Sequence, residues 1–293
     1  MDEKLKFYYW GAPIEQAVVN FGDLLTPLLM THYCGDSVAI ASSIDDADIF
    51  CVGSILGRVD TSKFSIVLGS GFIRKRRTKR LNHAHCYALR GPRSKHILKL
   101  QKDVAFGDPG LLMPYIFPKK DVPDTQAPIG IVPHYTHFES AELEPYKNDP
   151  RYKVINVMAE PKTVIDEICS CSTIFSSSLH GLIIADAYKI PNVRLIFDKP
   201  LFGRDFKFND YFDAVGRKGE ASKTIKLEQI EETYKSGIDT DYFTEVQKAQ
   251  ENLDTAFRKF TSDIPMLTEL RARSREKTTL LSKLSRMWQL TRK

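Results

Sequence analysis

One segment of the chain places a titratable side chain where an α/β sheet carries its chemistry. A strand predicted at 173–175 runs into a serine turn, and His180 follows at the mouth of an apolar helix predicted at 179–187. Open α/β sheets bind ligands at the carboxyl ends of strands, beside the start of the next helix. The free N–H groups and partial positive charge of a helix N-terminus suit phosphate or carboxylate. An imidazole beside an anion site indicates proton transfer to or from a phosphorylated substrate.

The first half of the chain alternates between short apolar runs typical of buried strands and segments with helical periodicity. Asp23 is placed to cap the first helix, and Pro92 fits the first turn of the second, where its missing N–H is not needed. The predicted strands are 5–10, 48–53, 64–68 and 86–89, and the predicted helices are 23–33 and 92–100.

A second alternating series follows a stretch rich in proline and charge at 114–128, which indicates an interdomain linker. It comprises strands at 129–132, 152–157, 173–175 and 193–197 and helices at 161–169, 179–187, 226–236 and 241–260. Two successive series predict an α/β protein with two Rossmann-like domains, each a parallel sheet covered by helices, facing a central ligand cleft. The predicted boundaries are 1–120 for the first domain, 127–240 for the second, and 241–293 for C-terminal helices.

The composition is that of a globular protein with unevenly distributed charge. The 293 residues are 42% hydrophobic and 27% charged, with a net charge of +5. Residues 74–80 carry six positive charges and no negative one, and residues 267–293 carry eight basic and two acidic side chains. The remainder of the chain is therefore acidic, so the protein is not a generally basic one.

The sequence carries no signal for secretion or membrane insertion. No apolar run reaches the roughly 18 residues of a membrane span, and the first residues lack the apolar core of a signal peptide. Five cysteines without a compact framework argue against a disulfide scaffold and predict buried thiols. A cytoplasmic protein is expected.

Four short motifs occur in order along the chain, and a fifth follows them. They are NFGD at 20–23, RGPRS at 90–94, GDPGLL at 107–112, SSLHGLIIA at 177–185 and FKFNDYF at 206–212. Together they resemble the motifs of the polysaccharide pyruvyl transferase family, and they span most of the chain. One position departs from the pattern, because Ser178 stands where some members have arginine directly before the Leu-His pair. If that arginine holds an anion, another cation must do so here.

The resemblance implies a transferase that moves pyruvate from phosphoenolpyruvate to two hydroxyls of a sugar. The product is a cyclic ketal on a bacterial-type surface polysaccharide or its lipid-linked precursor, and phosphate is released. The resemblance also implies a fold like that of the glycosyltransferase-B enzymes. Phosphoenolpyruvate is then a substrate, no cofactor is expected, and no histidine or carboxylate cluster has metal-ligand spacing.

The reaction implied by the resemblance needs an acid, a base and several cations. C3 of the donor must be protonated, a sugar hydroxyl must lose its proton, and about three negative charges on the donor must be held. His180 is predicted to be the acid or the acid and base. Asp23 is predicted to take a proton from the acceptor sugar or to bind its hydroxyls together with Asn20.

Donor binding is assigned to residues that follow predicted strands. Arg90 ends one strand just before a helix, and its guanidinium can bind a planar anion in bidentate fashion. The serines before His180 offer hydroxyl and N–H groups to phosphate, or else cap the helix. The predicted donor-binding residues are Arg90, Arg93, Ser94, Ser177, Ser178, Gly69, Ser70 and His134.

The C-terminal segment 267–293 combines basic residues with an apolar helical face formed by Leu281, Leu284 and Trp288. Such a helix either lies on an anionic membrane surface or docks on the body of the protein. Because the acceptors implied by the resemblance are often lipid-linked, a peripheral location on the inner face of the cytoplasmic membrane is one expectation.

Two other functions fit parts of the sequence. A glycosyltransferase on a similar scaffold would use a nucleotide sugar, but no carboxylate specific for a ribose is evident. The basic run at 74–80 suggests a nucleic-acid-binding protein, against which stand the acidic remainder of the chain and the lack of a recognition module.

Overall fold

The computed structural model describes residues 3–11, 20–119 and 128–290, and it describes no side chains at 220–221 and 277–290. Its framework is two parallel β-sheets, one of six strands and one of five. Parallel neighbours need crossover connections, which here run mostly through helices. The predicted α/β class with two parallel sheets is confirmed.

The first sheet is formed by strands between residues 5 and 106. They are β1 (Leu5–Tyr8), β2 (Val38–Ile40), β3 (Ile49–Phe50), β4 (Ser65–Leu68), β5 (Ala84–Leu89) and β6 (Ala105–Phe106). Their order is β2-β1-β3-β4-β5-β6, and each pairing is parallel. The central β4 is buried at every position, as a strand covered on both faces requires.

The second sheet is formed by strands between residues 129 and 226. They are β7 (Ile129–Val132), β8 (Tyr152–Val154), β9 (Thr173–Ser176), β10 (Asn192–Ile196) and β11 (Thr224–Lys226). Their order is β11-β10-β9-β7-β8, again with parallel pairings. Val132 pairs with Ser176, so β7 and β9 end at the same level. The segments that follow these two strands, which contain His134 and His180, therefore begin side by side.

The helices connect the strands and cover the sheets. In chain order they are α1 (Leu25–Cys34), α2 (Pro92–Leu98), α3 (Met113–Ile116), α4 (Glu144–Lys147), α5 (Pro161–Cys169), α6 (Leu179–Ala187), α7 (Phe206–Ala214), α8 (Ile230–Ser236) and α9 (Phe243–Leu290). Leu68 of β4, Leu182 of α6 and Leu253 of α9 belong to one buried apolar cluster. The core is thus continuous from the first sheet to the helices of the second half.

The predicted bounds of β7, α5 and α6 agree with the structure. The strands β2, β6 and β11 and the helix α7 were not predicted, and the helix expected at 241–260 is the first part of α9. The prediction that Asp23 caps α1 is wrong, because Leu24 is the N-cap residue and no side chain caps that end. The cysteines are free, and all but Cys169 are buried. The domain boundaries stay a prediction, and residues 120–127 of the expected linker lie outside the described residues.

The last helix returns to the first half of the chain. The Tyr87 hydroxyl of β5 donates to Asp263 of α9 at 2.7 Å, and Arg271 of α9 pairs with the buried Asp48 at 2.9 Å. Leu267 is fully buried in the same helix. The segment from 267 to at least 271 is therefore docked on the body, one of the two expected alternatives, while a membrane-binding face further along the helix stays a prediction. The side chains of Leu281, Leu284 and Trp288 lie outside the described residues. No helix in the described ranges is long and apolar enough to span a membrane.

Candidate active site

A cavity of about 500 Å³ lies between the two halves of the chain. It is walled by segments that follow strands of both sheets, which is where parallel α/β proteins hold their ligands. The polar and charged residues that line it include Asn20, Asp23, Ser54, Arg58, Arg90, His134, Ser178, His180, Lys199 and Lys207. His180 and Arg90, which the sequence placed on separate motifs 90 residues apart, therefore line one cavity.

His180 lies in the first turn of α6, and its side chain is 12% exposed. Its Nε2 atom has no hydrogen-bond partner in the described structure and lies 3.9 Å from Oδ2 of Asp108, which also has none. Burial, with the charges of Lys207 and Arg90, lowers the pKa of His180 to about 3. The imidazole is therefore neutral at physiological pH in these surroundings.

Gly22 of the NFGD turn has no side chain, and the His180 imidazole occupies the space beside it. A side chain on Gly22 would overlap the His180 ring at Nδ1, so glycine is required there by packing. The main-chain N–H of Gly22 donates to Oδ1 of Asn20, and Nδ2 of Asn20 donates to Asp23. The turn thus fixes Asn20 and Asp23 at the cavity wall and holds α6 close to the first half.

Two carboxyl groups near the imidazole have raised pKa values. Burial raises the pKa of Asp23 to about 7, against the opposing effects of Lys207 and Asn20. Burial also raises the pKa of Asp108 to about 6, although the N–H of Gly110 donates to its Oδ1 at 3.0 Å. Carboxyl groups that titrate near neutrality are suited to general acid–base chemistry.

Arg90 is fully buried and already has protein partners. Its Nε and Nη2 atoms lie 3.2 and 3.1 Å from Oδ2 of the buried Asp210 on α7, and Nη1 donates to Ser54. Ser94, predicted to bind donor, instead donates its hydroxyl and N–H to the same Asp210. Arg90 therefore lines the cavity and also anchors α7, whereas Ser94 lies behind the lining and its donor-binding role stays a prediction.

The other predicted donor residues of the first half lie outside the lining of the cavity. Arg93 pairs on the surface with Asp213 at 2.7 Å. Gly69, with a φ of 97°, packs against Pro109, which leaves no room for a side chain. Ser70 is buried and donates to the carbonyl of the residue at position 53. The described lining of the cavity therefore includes none of these three residues, and their role in donor binding stays a prediction.

The two serines in the turn before α6 face different parts of the protein. The Ser177 hydroxyl accepts from the main chain of His134 at 2.9 Å and lies 3.1 Å from Nδ1 of His137, so it braces the loop after β7 and is not part of the cavity lining. Ser178 does line the cavity, and its side chain makes no cap hydrogen bond. Helix capping therefore does not account for Ser178.

Burial, with the charge of Lys207, lowers the pKa of His134 to about 3.

Several lining residues received no role from the sequence. Lys207 lies on α7 between two phenylalanines, within the FKFNDYF motif. The positive charge between apolar residues is the sequence feature that could have indicated a role for this lysine. Arg58 stacks over the Trp10 ring at 4.2 Å, at the wall contributed by the first half. Arg74 lies 5.5 Å from the Phe202 ring, so the exposed basic run at 74–80 borders the mouth of the cavity.

Two parallel sheets that enclose titratable side chains at their strand ends define an α/β enzyme with its site between two halves. The family model described as polysaccharide pyruvyl transferase matches residues 2–198. The chain belongs to this family, which is a family of transferases.

A curated relative, the uncharacterized protein L143 of Acanthamoeba polyphaga mimivirus, is 31% identical over 172 residues. The alignment covers 56% of this chain and 59% of the relative, so the chain spans about three fifths of the relative that it matches. No solved structure matches the chain.

Proposed function

We propose that the protein transfers pyruvate from phosphoenolpyruvate to two hydroxyls of a sugar, forming a cyclic ketal and releasing phosphate. The observation that carries the proposal is the convergence of His180, Asp23, Arg90 and Lys207 on one cavity. The site joins two cations to an imidazole and to a carboxyl group of raised pKa, and membership of the family supplies the reaction class.

The anionic donor would convert His180 into a group that can carry a proton. The imidazole by itself is neutral, because burial and two neighbouring cations oppose a further positive charge. A ligand with about three negative charges reverses that balance and raises the pKa of the imidazole. Asp108, at 3.9 Å from Nε2, then stabilises the imidazolium.

In the proposed reaction the two sugar hydroxyls lose two protons, and the donor carbon C3 and the released phosphate take up two. Protonation of C3 by the His180 imidazolium gives an oxocarbenium-like C2, to which the first sugar hydroxyl adds. Cleavage of the C2–O bond releases phosphate, and the second hydroxyl closes the ketal at C2. Of the two hydroxyl protons, one replaces the proton delivered to C3 and the other leaves on phosphate. Asp23, with a pKa of about 7, is the proposed base that accepts a proton from an acceptor hydroxyl.

The proposed acceptor is a surface polysaccharide or its lipid-linked precursor. Asn20 and Asp23 line the cavity on the side of the first half and are the proposed hydroxyl contacts. The exposed basic run at 74–80 beside the mouth suits an acceptor that carries phosphate groups. A glycosyltransferase-B-like arrangement of the halves belongs to the proposal and is supported by the two parallel sheets that flank the cavity.

Incubation with phosphoenolpyruvate and a panel of glycosides tests the function. The expected result is release of phosphate and a product heavier by pyruvate minus water. Parallel incubations with nucleotide sugars test the competing glycosyltransferase. Glycosyl transfer from a nucleotide sugar, with no phosphate release from phosphoenolpyruvate for any glycoside, would overturn the proposal.

A further inference from the structure

Lys207 is a buried cation that lines the cavity without a protein counter-ion. The residue is 9% exposed, and in the described part of the chain its ammonium makes neither a hydrogen bond nor an ion pair. Its ammonium lies 5.3 Å from the ring centroid of Phe208, a contact weaker than an ion pair. The neighbouring buried arginines differ, because Arg90 pairs with Asp210 and Arg194 pairs with Asp205.

The charge of Lys207 reaches several other groups of the site. It opposes protonation of both His180 and His134, and it favours the ionised form of Asp23. In turn, burial and the charge of Arg90 lower the pKa of Lys207 to about 8, against the opposing effect of Asp23. An unpaired ammonium in such surroundings is unfavourable, and proteins usually pair a buried charge.

The helix that carries Lys207 is held in place by contacts with both halves, so the side chain stays at the cavity. Asp210, one turn further along α7, accepts from Arg90 and Ser94 at the end of the first sheet. Tyr211 donates to the buried Asp186 of α6 at 2.8 Å. α7 is thus pinned to both halves, and Lys207 is presented to the cavity between them.

We infer that Lys207 binds the phosphate group of the ligand and completes its own ion pair only when that ligand is present. This inference rests on the proposed function for the identity of the ligand, phosphoenolpyruvate. A lysine binds phosphate as a compact point charge, whereas a guanidinium suits a planar carboxylate. Ser178, at the helix start on the same cavity, contributes no charge, and Lys207 is assigned the role of the cation that stands in for the missing arginine because it is buried, whereas Arg58 and Lys199 on the same lining are exposed. Lys207 lies beyond residues 2–198, the segment that the family model matches.

Calorimetric titration of wild type and Lys207→Met tests the inference, with Lys235→Met as the matched control. Lys235 is 72% exposed and pairs with Glu231 along its own helix. Lys207→Met is expected to bind phosphoenolpyruvate and inorganic phosphate about 10- to 100-fold more weakly, the usual effect of losing a charged hydrogen bond. Binding of pyruvate, which has no phosphate, is expected to change less than threefold. The control is expected to bind all three like wild type.

A measurement on the wild-type protein makes the test independent of how the variant folds. Acetylation of Lys207, followed by mass spectrometry, is expected to slow at least fivefold in saturating phosphate, while acetylation of Lys235 is unchanged. Equal acetylation of Lys207 with and without phosphate, or undiminished phosphoenolpyruvate binding by Lys207→Met, overturns the inference and leaves the proposed function intact. Phosphate binding that depends on Lys207, in a protein that forms no ketal, overturns the proposed function and supports the inference.

Discussion

Nε2 of His180 and Oδ2 of Asp108 face each other at 3.9 Å, and neither atom has a hydrogen-bond partner in the described structure. The two residues come from different halves of the chain, one from the start of α6 and the other from the GDPGLL motif after β6. Buried polar atoms without partners are unfavourable and are rare outside functional sites. A shift of about 1 Å would make a charge-assisted hydrogen bond once the imidazole is protonated. We therefore expect the pair to close when the imidazole is protonated.

Asp108→Asn should lower kcat more than it raises the donor KM. Asp108 is not among the residues that line the cavity, so its loss leaves donor contacts intact while it removes the carboxylate that stabilises the imidazolium. We expect kcat to fall about 10- to 100-fold and KM for phosphoenolpyruvate to change less than threefold. Steady-state kinetics measure both constants. A rise in KM with kcat unchanged would contradict the positioning role.

His180→Ala should abolish most turnover without destabilising the fold. A positioned acid or base contributes on the order of 10²–10⁴ to the rate, so kcat should fall within that range. The imidazole lines an existing cavity and is unpaired at Nε2, so its removal breaks no hydrogen bond at that atom and the melting temperature should change little. Turnover and thermal unfolding are measured on the same preparation. Wild-type turnover in a folded variant would remove the histidine from the mechanism.

Gly22→Ala should reproduce the loss seen in His180→Ala through sterics alone. The added methyl group overlaps the imidazole, so the ring must leave its position beside Asp108. We expect kcat to fall at least tenfold and the free energy of unfolding to fall by about 1–3 kcal/mol, the usual penalty of overpacking. The double variant Gly22→Ala/His180→Ala should regain that stability, because the methyl group then has space. Additive losses of stability would show that the two residues do not compete for space.

The alternation of strands and helices could be predicted from the sequence, and so could the position of His180. The bounds follow from a short apolar run for β7, from an amphipathic pattern that begins at a proline for α5 and from an apolar helical run for α6, and parallel strands bring their ends to one edge. The two-residue strands β3 and β6 carry too little pattern to be delimited. Short runs of this kind acquire their structure from neighbours in the sheet.

The partners of Arg90 could not be predicted, because they are set by contacts distant in sequence. Asp210 is 120 residues away, and the sequence contains no pattern that pairs the two. Lys207 illustrates the same limit, since a lysine between two phenylalanines reads equally well as a surface residue on an amphipathic helix. Only the packing of α7 against both halves buries that lysine beside the cavity.

Asp23→Asn should make the protein more stable at alkaline pH and leave its stability unchanged in acid. The pKa of Asp23 is about 7 in the folded protein against an ordinary value of 3.8, so the folded state binds the proton more tightly. As pH rises from about 4 to about 7, the folded state of wild type is progressively penalised for ionising the buried group. Asparagine removes that penalty. The variant should exceed wild type by about 1–3 kcal/mol near pH 8 and match it near pH 4. Chemical denaturation across this range measures the difference, and a gap that narrows as pH rises would contradict the raised pKa.

Arg271→Met should destabilise the body of the protein, whereas Arg273→Met on the same helix should not. Arg271 is 3% exposed and pairs at 2.9 Å with Asp48, whose side chain is 5% exposed, so its loss leaves a buried carboxylate without its main counter-ion. We expect the free energy of unfolding to fall by about 2–4 kcal/mol, somewhat moderated by the N–H of Lys6, which also donates to Asp48. Arg273 is 74% exposed, and its pairing with Glu269 is worth no more than about 0.5 kcal/mol. Denaturant unfolding of both variants makes the comparison. Equal free energies of unfolding for the two variants would mean that the stability of the protein does not depend on the docking of α9 to the first sheet. The segment from 267 would then be free to bind another surface.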